Sequence, residues 1–234
     1  MNTTEIFLDK YRELEVAVRY AYNLGKFDSA VSFLKKQKKF EYCRADIDYI
    51  ADIRNLLSHN RKIDGEYAVQ PSEQTIAFID SIITEVQGRK KCRDICIRAE
   101  KILKKNLRGN VLDTIKTMHE RNFTHVPIVE NRRVIGVFSR NSIFSYVAEN
   151  TACALAGKQT LTFGDIKDYL ALTGREKDDY IFIKSTMYTD ELQEIFDEED
   201  KKGRRIGLIF LTAHGTADEP LLGMLTPWDV VKNS

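Results

Sequence analysis

The segment Gly223-Met224-Leu225-Thr226-Pro227-Trp228-Asp229-Val230 decides how the rest of the chain is read, because an earlier segment repeats its order. Gly136-Val137-Phe138-Ser139-Arg140-Asn141-Ser142-Ile143 also runs from a glycine and two apolar residues to a small hydroxyl residue, two variable positions, a polar residue and an aliphatic one. That order predicts a strand entering the first turn of a helix, written twice. A helix start presents unpaired N–H groups and the positive end of the dipole, where an anion is held. Thr226 and Asp229 are residue types that cap such a helix and that also hydrogen-bond a sugar hydroxyl; in one copy alone a plain N-cap would account for them. Two copies make a repeat, and a repeat implies a shared architecture.

Working outward from the first copy, Asn110 can cap a helix that turns Leu112, Ile115 and Met118 inward. Thr124 to Val129 and Val134 to Phe138 read as strands joined by the turn Glu130-Asn131-Arg132, and a helix follows from Ser139. After a connector holding Gly157, Gly164 and Gly174, the order returns. Tyr180 to Ile183 is a strand, Thr189 caps a helix bearing Leu192, Ile195 and Phe196, and Arg205–Thr212 and Leu221–Leu225 are strands. The expectation is two β-α-β-β-α units over residues 95–234.

The first 90 residues carry a different pattern. Phe7, Tyr11, Leu14, Val18 and Ala21 recur at helical steps up to Gly25, and Asp28 or Ser29 can cap a short second helix with Ala30, Phe33 and Leu34 on one face. Ile47, Ile50, Ile53 and Leu57 mark a third helix over 44–59, and Asp64-Gly65 a turn. Pro71-Ser72 opens a fourth helix with Ile76, Ile79, Ile82, Ile83 and Val86. The fold class is therefore α+β: an all-helical bundle over 1–90, then the two repeated units. The run Lys35, Lys36, Lys38 and Lys39 reads as a solvated face.

Bulk properties narrow the function. Lys+Arg 36 against Asp+Glu 35 gives a formal charge of +1, so no global field drives the chain onto nucleic acid or an acidic membrane, and any RNA contact is local. No apolar run approaches the roughly 20 residues that span a bilayer. Met1 to Glu5 lacks the basic-then-apolar pattern of a signal peptide, so a cytoplasmic location is expected. Cys43, Cys92, Cys96 and Cys153 form no CxxC pair and have no neighbouring histidine at ligand spacing; reduced thiols and no metal are expected. His119, His125 and His214 show no partner in the sequence.

The stretches Thr124–Ile143 and Arg205–Val230 resemble a tandem pair of cystathionine β-synthase (CBS) domains, a likeness covering roughly residues 95–234. The resemblance implies clefts that take an adenine nucleotide (AMP, ADP or ATP) as a regulatory ligand. The hydroxyl and acid at the junction, here Thr226 and Asp229, would hold ribose and phosphate. In the first copy Ser139 keeps the hydroxyl, but Ser142 stands at the acid position, which implies one good cleft at most. Gly207 stands where the first copy has Pro127, and the loop Ala213 to Glu219 is long. Ile183 and Lys184 would line the base side of the cleft, and Lys184, Arg204 and Arg205 are candidates to meet phosphates.

In the helical part, Arg54-Asn55-Leu56-Leu57-Ser58-His59 resembles the motif of HEPN domains, many of which are metal-independent ribonucleases acting as dimers. The chemistry also stands on the residue types: a histidine titrating near neutrality takes the proton of an RNA 2′-hydroxyl, and an arginine steadies charge on the phosphate. Asn55 would orient the histidine or the phosphate. Five residues apart, Arg54 and His59 lie about 140° apart on one helix, so convergence requires two helices meeting across a homodimer. The plainer reading is that both decorate a helix C-terminus. Two functions follow: a nucleotide-sensing CBS pair that regulates a HEPN-like endoribonuclease, or a non-enzymatic nucleotide-binding regulator whose helical part dimerises or docks a partner.

Overall fold

The computed structural model describes residues 2–59, 67, 69–150, 160–172 and 178–233, without the side chains of His59 and Asp178. The Asp64-Gly65 turn, Cys153, Gly157 and Gly174 lie outside the described residues. The chain divides into Met1–Arg89 and Lys90–Ser234.

In the first unit the polar residues at helix ends set the boundaries. Helix α1 (Thr3–Tyr22) begins at Asn2, whose side chain accepts from the Thr4 N–H, and ends at Asn23 in the left-handed conformation (φ 52°). Asparagine tolerates that conformation, so the helix stops two residues before the glycine that the sequence pointed to. Ser29 caps α2 (Ala30–Leu34) and Ser72 caps α4 (Glu73–Gln87). Helix α3 runs Arg44–His59, as the periodicity predicts, preceded by a 3₁₀ segment, Lys38–Cys43, that the sequence reading did not contain. Phe7 and Leu14 of α1, Phe40, Ile47 and Ile50, and Ile79 and Ile82 of α4 are fully buried in one core. Each such side chain contributes about 1.5–3 kcal/mol relative to exposure.

The second unit contains α5 (Cys92–Ile95), β1 (Ile97–Arg98), α6 (Val111–Arg121), β2 (His125–Glu130), β3 (Arg133–Ser139) and α7 (Arg140–Glu149). The order then returns with β4 (Asp178–Lys184), α8 (Thr189–Lys201), β5 (Arg205–Thr212), β6 (Gly223–Leu225) and α9 (Pro227–Val231). Strands β2 and β3 pair antiparallel, and β1-β6-β5-β4 form a mixed sheet in which β4 and β5 are parallel. Both copies keep the β-α-β-β-α order, but the leading strand of the first is reduced to one parallel bridge, Lys105 to Ile128. Val134 and Val137 of β3 share a buried cluster with Leu208 and Phe210 of β5, which joins the two copies.

Two details depart from the sequence reading. The cap of α8 is Tyr188, not Thr189: Thr189 is buried as the first helical residue, its N–H donates to the Lys90 carbonyl, and the Glu191 carboxylate accepts from the Tyr188 N–H at 3.3 Å. The stretch 160–172, read as a connector, is part of the core of the first copy. Leu161, Phe163, Ile166 and Leu170 are buried with Val126 and Phe138, and the Leu170 carbonyl accepts from the Val137 N–H at 3.0 Å.

Candidate functional site

The two strand-to-helix junctions are built alike. Ser139 Oγ accepts from the N–H groups of Asn141 (3.1 Å) and Ser142 (3.2 Å), while Ser142 Oγ accepts from the Ser139 N–H at 3.1 Å. At the second junction Asp229 Oδ2 accepts from the Thr226 N–H (2.8 Å) and the Thr226 hydroxyl (2.7 Å), and Thr226 Oγ1 accepts from the Asp229 N–H at 3.4 Å. Each pair is a reciprocal capping box that satisfies donors the helix cannot pair itself. The plain N-cap role is thus realised in both copies.

The junctions open on one cleft of about 650 Å³. Ser139, Arg140 and Asn141 form one wall; Thr226, Pro227 and Trp228 form the other. Between them run Arg204, the start of β5 as far as Gly207, and Phe196, Asp197 and Asp200 of α8. Trp228, the one tryptophan of the chain, is 79% exposed. A large aromatic face held at a cleft wall is a stacking surface for a planar ring. Arg140 is exposed and makes no ion pair among the described residues, whereas Arg204 Nε is held by Glu199 Oε2 at 2.8 Å and lies 3.9 Å from Asp179 Oδ2. His125 reaches the same cleft, its Nδ1 2.8 Å from Thr124 Oγ1 and its ring edge-on to Tyr180 at 5.9 Å.

Of the residues read from the sequence, Thr226, Ser139, Arg204 and Arg205 line this cleft; Asp229, Ile183 and Lys184 do not. The Asp229 carboxylate is turned back on Thr226. Ile183 is buried with Leu192, Ile209 and Leu225, because it alternates into the interior of the mixed sheet, and Lys184 is exposed at the strand end opposite Thr212. Arg140, Trp228 and Phe196 were missed. The signal for Trp228 was in the sequence: an aromatic just after the proline that opens a helix projects from its first turn.

In the first unit Arg54 is half-buried, its guanidinium 5.9 Å from the centre of the Tyr11 ring and its Nη1 3.5 Å from Asn55 Oδ1, while Asn55 is exposed. Burial pushes the Tyr11 hydroxyl up to about 12 despite the nearby Arg54 charge. His59 is the last residue of α3; its side chain lies outside the described residues. His214, without an evident partner in sequence, pairs with Glu219: Glu219 Oε2 accepts from the His214 N–H at 2.7 Å and Oε1 lies 2.5 Å from Nδ1. Among the described residues no group of three or more His, Cys, Asp or Glu side chains is placed to share a metal ion, and no helix is long and apolar enough to cross a membrane.

The curated proteins contain no match to the chain. Among solved structures it is similar to CBSX2 in complex with AMP, at 15% identity and TM-score 0.44, covering 61% of this chain and 93% of that one. It is similar also to the CBS domain pair of MJ0100 in complex with 5′-methylthioadenosine and S-adenosyl-L-methionine, at 15% identity and TM-score 0.42 over 62% of this chain and 94% of that one. CbpB in complex with c-di-AMP is 14% identical, with TM-score 0.44 over 61% of this chain and 83% of that one. Residues 108–149, the stretch that holds α6, β2, β3 and α7, match the family model of the CBS domain.

Proposed function

We propose that the protein is an adenine-nucleotide sensor whose ligand occupies the cleft between the two repeated junctions, with the base against Trp228 and the phosphate against Arg140. The observation that carries this reading is the convergence of both junctions on one cleft that offers an exposed aromatic face, the half-buried Thr226 and an arginine without an ion pair among the described residues. A nucleotide needs that combination: a flat apolar surface for the base, hydrogen-bonding groups for the sugar and a cation for the phosphate. The ribose would reach Thr226 and Asp229 by exchanging part of the capping box for hydrogen bonds to its hydroxyls. Calorimetric titration of the full chain with AMP, ADP and ATP tests the proposal; saturable binding that is weakened by Trp228→Ala supports it, and absence of heat with all three nucleotides overturns it.

The regulated activity, in the same proposal, is metal-independent RNA cleavage by a homodimer of the helical unit, with His59 as base, Arg54 against the phosphate and Asn55 orienting the histidine or the phosphate. The Tyr11 ring below the guanidinium and Asn55 beside it support this role for Arg54, because they limit its freedom. Regulation requires that the nucleotide bind two states of the protein with different affinity. The alternative, a non-enzymatic regulator that docks or dimerises through the helical unit, is favoured by Val16 and Tyr20, exposed large apolar residues one turn apart on α1. RNA cleavage with chelator present, wild type beside His59→Ala and with or without AMP, separates the two. Cleavage lost in the variant and altered by nucleotide supports the ribonuclease; intact binding with no cleavage leaves the docking regulator.

A further inference from the structure

A second cavity, of about 320 Å³, is lined by the first copy alone, between α6, the end of β3 and the start of α7. Its apolar walls are Ile115 and Met118 of α6, Phe123, Phe138 of β3 and Ile143 of α7. Met118 and Phe138 belong to the buried core of that copy, and Ile115 and Ile143 pack against it, so the cavity is a place where the core stays uncovered. The Ser139 hydroxyl is 2% exposed and committed to the helix cap. That leaves His119 and Arg140 as the polar lining: both are exposed, and their side chains make no hydrogen bond or ion pair among the described residues. No acidic side chain among the described residues lines the cavity.

The repeat shows that this pair of basic groups is particular to the first copy. Counted from the helix start, His119 of α6 corresponds to Asp197 of α8; counted from the junction hydroxyl, Arg140 corresponds to Pro227. The equivalent positions of the second copy thus hold an acid and no cation. We infer that the cavity binds a small monocarboxylate with an apolar body, a medium-chain or arylalkanoic acid, its carboxylate on Arg140 and its body against Ile115, Met118, Phe123 and Phe138. A guanidinium matches a carboxylate with two parallel N–H···O bonds, and the apolar walls gain by being covered. The volume is at the small end of ligand pockets, which suits one short ligand. His119 at the rim offers a further N–H donor. This site is separate from the nucleotide reading, but Arg140 also borders the nucleotide cleft. A guanidinium engaged by a carboxylate pairs less well with a phosphate, so the acid weakens AMP; this last clause rests on the nucleotide reading.

Full-length protein is titrated calorimetrically with octanoate, with octanamide, which keeps the body and lacks the charge, and with acetate, which keeps the charge and lacks the body. Octanoate is expected to bind saturably, about tenfold or more tighter than either control. Arg140 is exposed and Phe123 is 40% exposed, so substituting either leaves the core in place. Arg140→Gln should weaken octanoate about tenfold and Phe123→Ala about threefold, the latter with AMP binding unchanged. Saturating octanoate should raise the AMP concentration needed for half-saturation. Octanamide binding as tightly as octanoate, an octanoate affinity untouched by either substitution, or no heat with octanoate up to millimolar concentration overturns the inference while the nucleotide cleft stands. An AMP affinity indifferent to bound octanoate overturns the sharing of Arg140. Failure of AMP alone, with octanoate bound as expected, overturns the nucleotide reading and leaves the carboxylate site.

Discussion

The two repeated units solve the same structural problem with different chemistry. At both junctions a strand ends on a helix whose first N–H groups are held by a capping box, but the first copy uses Ser139 with Ser142, both nearly inaccessible, while the second uses Thr226 with the half-buried carboxylate of Asp229. The first pair is sealed in and serves the helix; the second stands beside the cleft and has a charged acceptor to offer. The hairpins differ in the same sense. The first turns through Asn131 and Arg132, both left-handed (φ 49° and 67°), whereas the second needs a loop over residues 213–222 that is stapled by His214 and Glu219. Repetition fixes the scaffold, and the two copies differ in which polar groups stay accessible.

The largest effect is expected at the junction glycines. A Cβ at Gly136 would overlap the backbone carbonyl of Leu170 and come within 2.9 Å of its Cβ, and neither can move without lifting the 160–172 segment from the core. Gly136→Ala should lower the stability of this unit by about 3 kcal/mol in thermal or urea unfolding. At Gly223 the first obstacle is the Cys96 thiol, a side chain that can shift. Gly223→Ala should cost less, and adding Cys96→Ala should restore part of the loss. Equal effects of the two glycine substitutions would remove this difference between the copies.

Converting the first junction toward the second is the next test. Ser142 is 1% exposed and its hydroxyl lies 3.4 Å from the Val137 carbonyl oxygen, so Ser142→Asp buries a carboxylate against a carbonyl. A loss of about 1–3 kcal/mol is expected, without a second nucleotide bound. A stable variant with a new binding site would show that the first copy lacks only the acid. A smaller effect of opposite sign is expected in the tight hairpin: Arg132→Gly, at positive φ, should stabilise by up to about 1 kcal/mol, read as a rise in melting temperature.

Much of the architecture was legible because it rests on local rules. Helical periodicity with polar caps placed α1, α3 and α4, and the repeated Gly-to-aliphatic order placed both junctions. Pairings of long sequence separation were not legible. Ile97 and Arg98 are too few to show alternation, yet they complete the mixed sheet against Gly223 and Met224. Leu161, Phe163, Ile166 and Leu170 follow neither a strand nor a helix period, since they pack from an irregular segment. At the site, residue types at the junctions were readable, but the side to which each side chain turns was not. The burial of Ile183 and the engagement of Asp229 with Thr226 are therefore structural findings.

The smallest effect concerns the second hairpin loop. The His214 N–H, and secondarily its ring, hold the Glu219 carboxyl down at about 2, from an ordinary 4.5. A depressed carboxyl stabilises the folded state above its unfolded value, and that contribution is lost as pH falls from about 4.5 towards 2. Melting temperature should decline over that window, and less steeply in Glu219→Gln; an identical acid limb in wild type and variant would show that the staple is inert.

The most direct test of the central claim uses Trp228 itself, because the only tryptophan of the chain stands at the wall of the cleft. Its emission is followed while AMP is added to the full chain, wild type beside Arg140→Ala. A saturable change in emission, shifted about tenfold or more to higher AMP concentration in the variant, is the predicted result. Emission that stays constant to millimolar AMP, or a titration identical in both proteins, would contradict a nucleotide cleft in which Trp228 meets the base and Arg140 the phosphate.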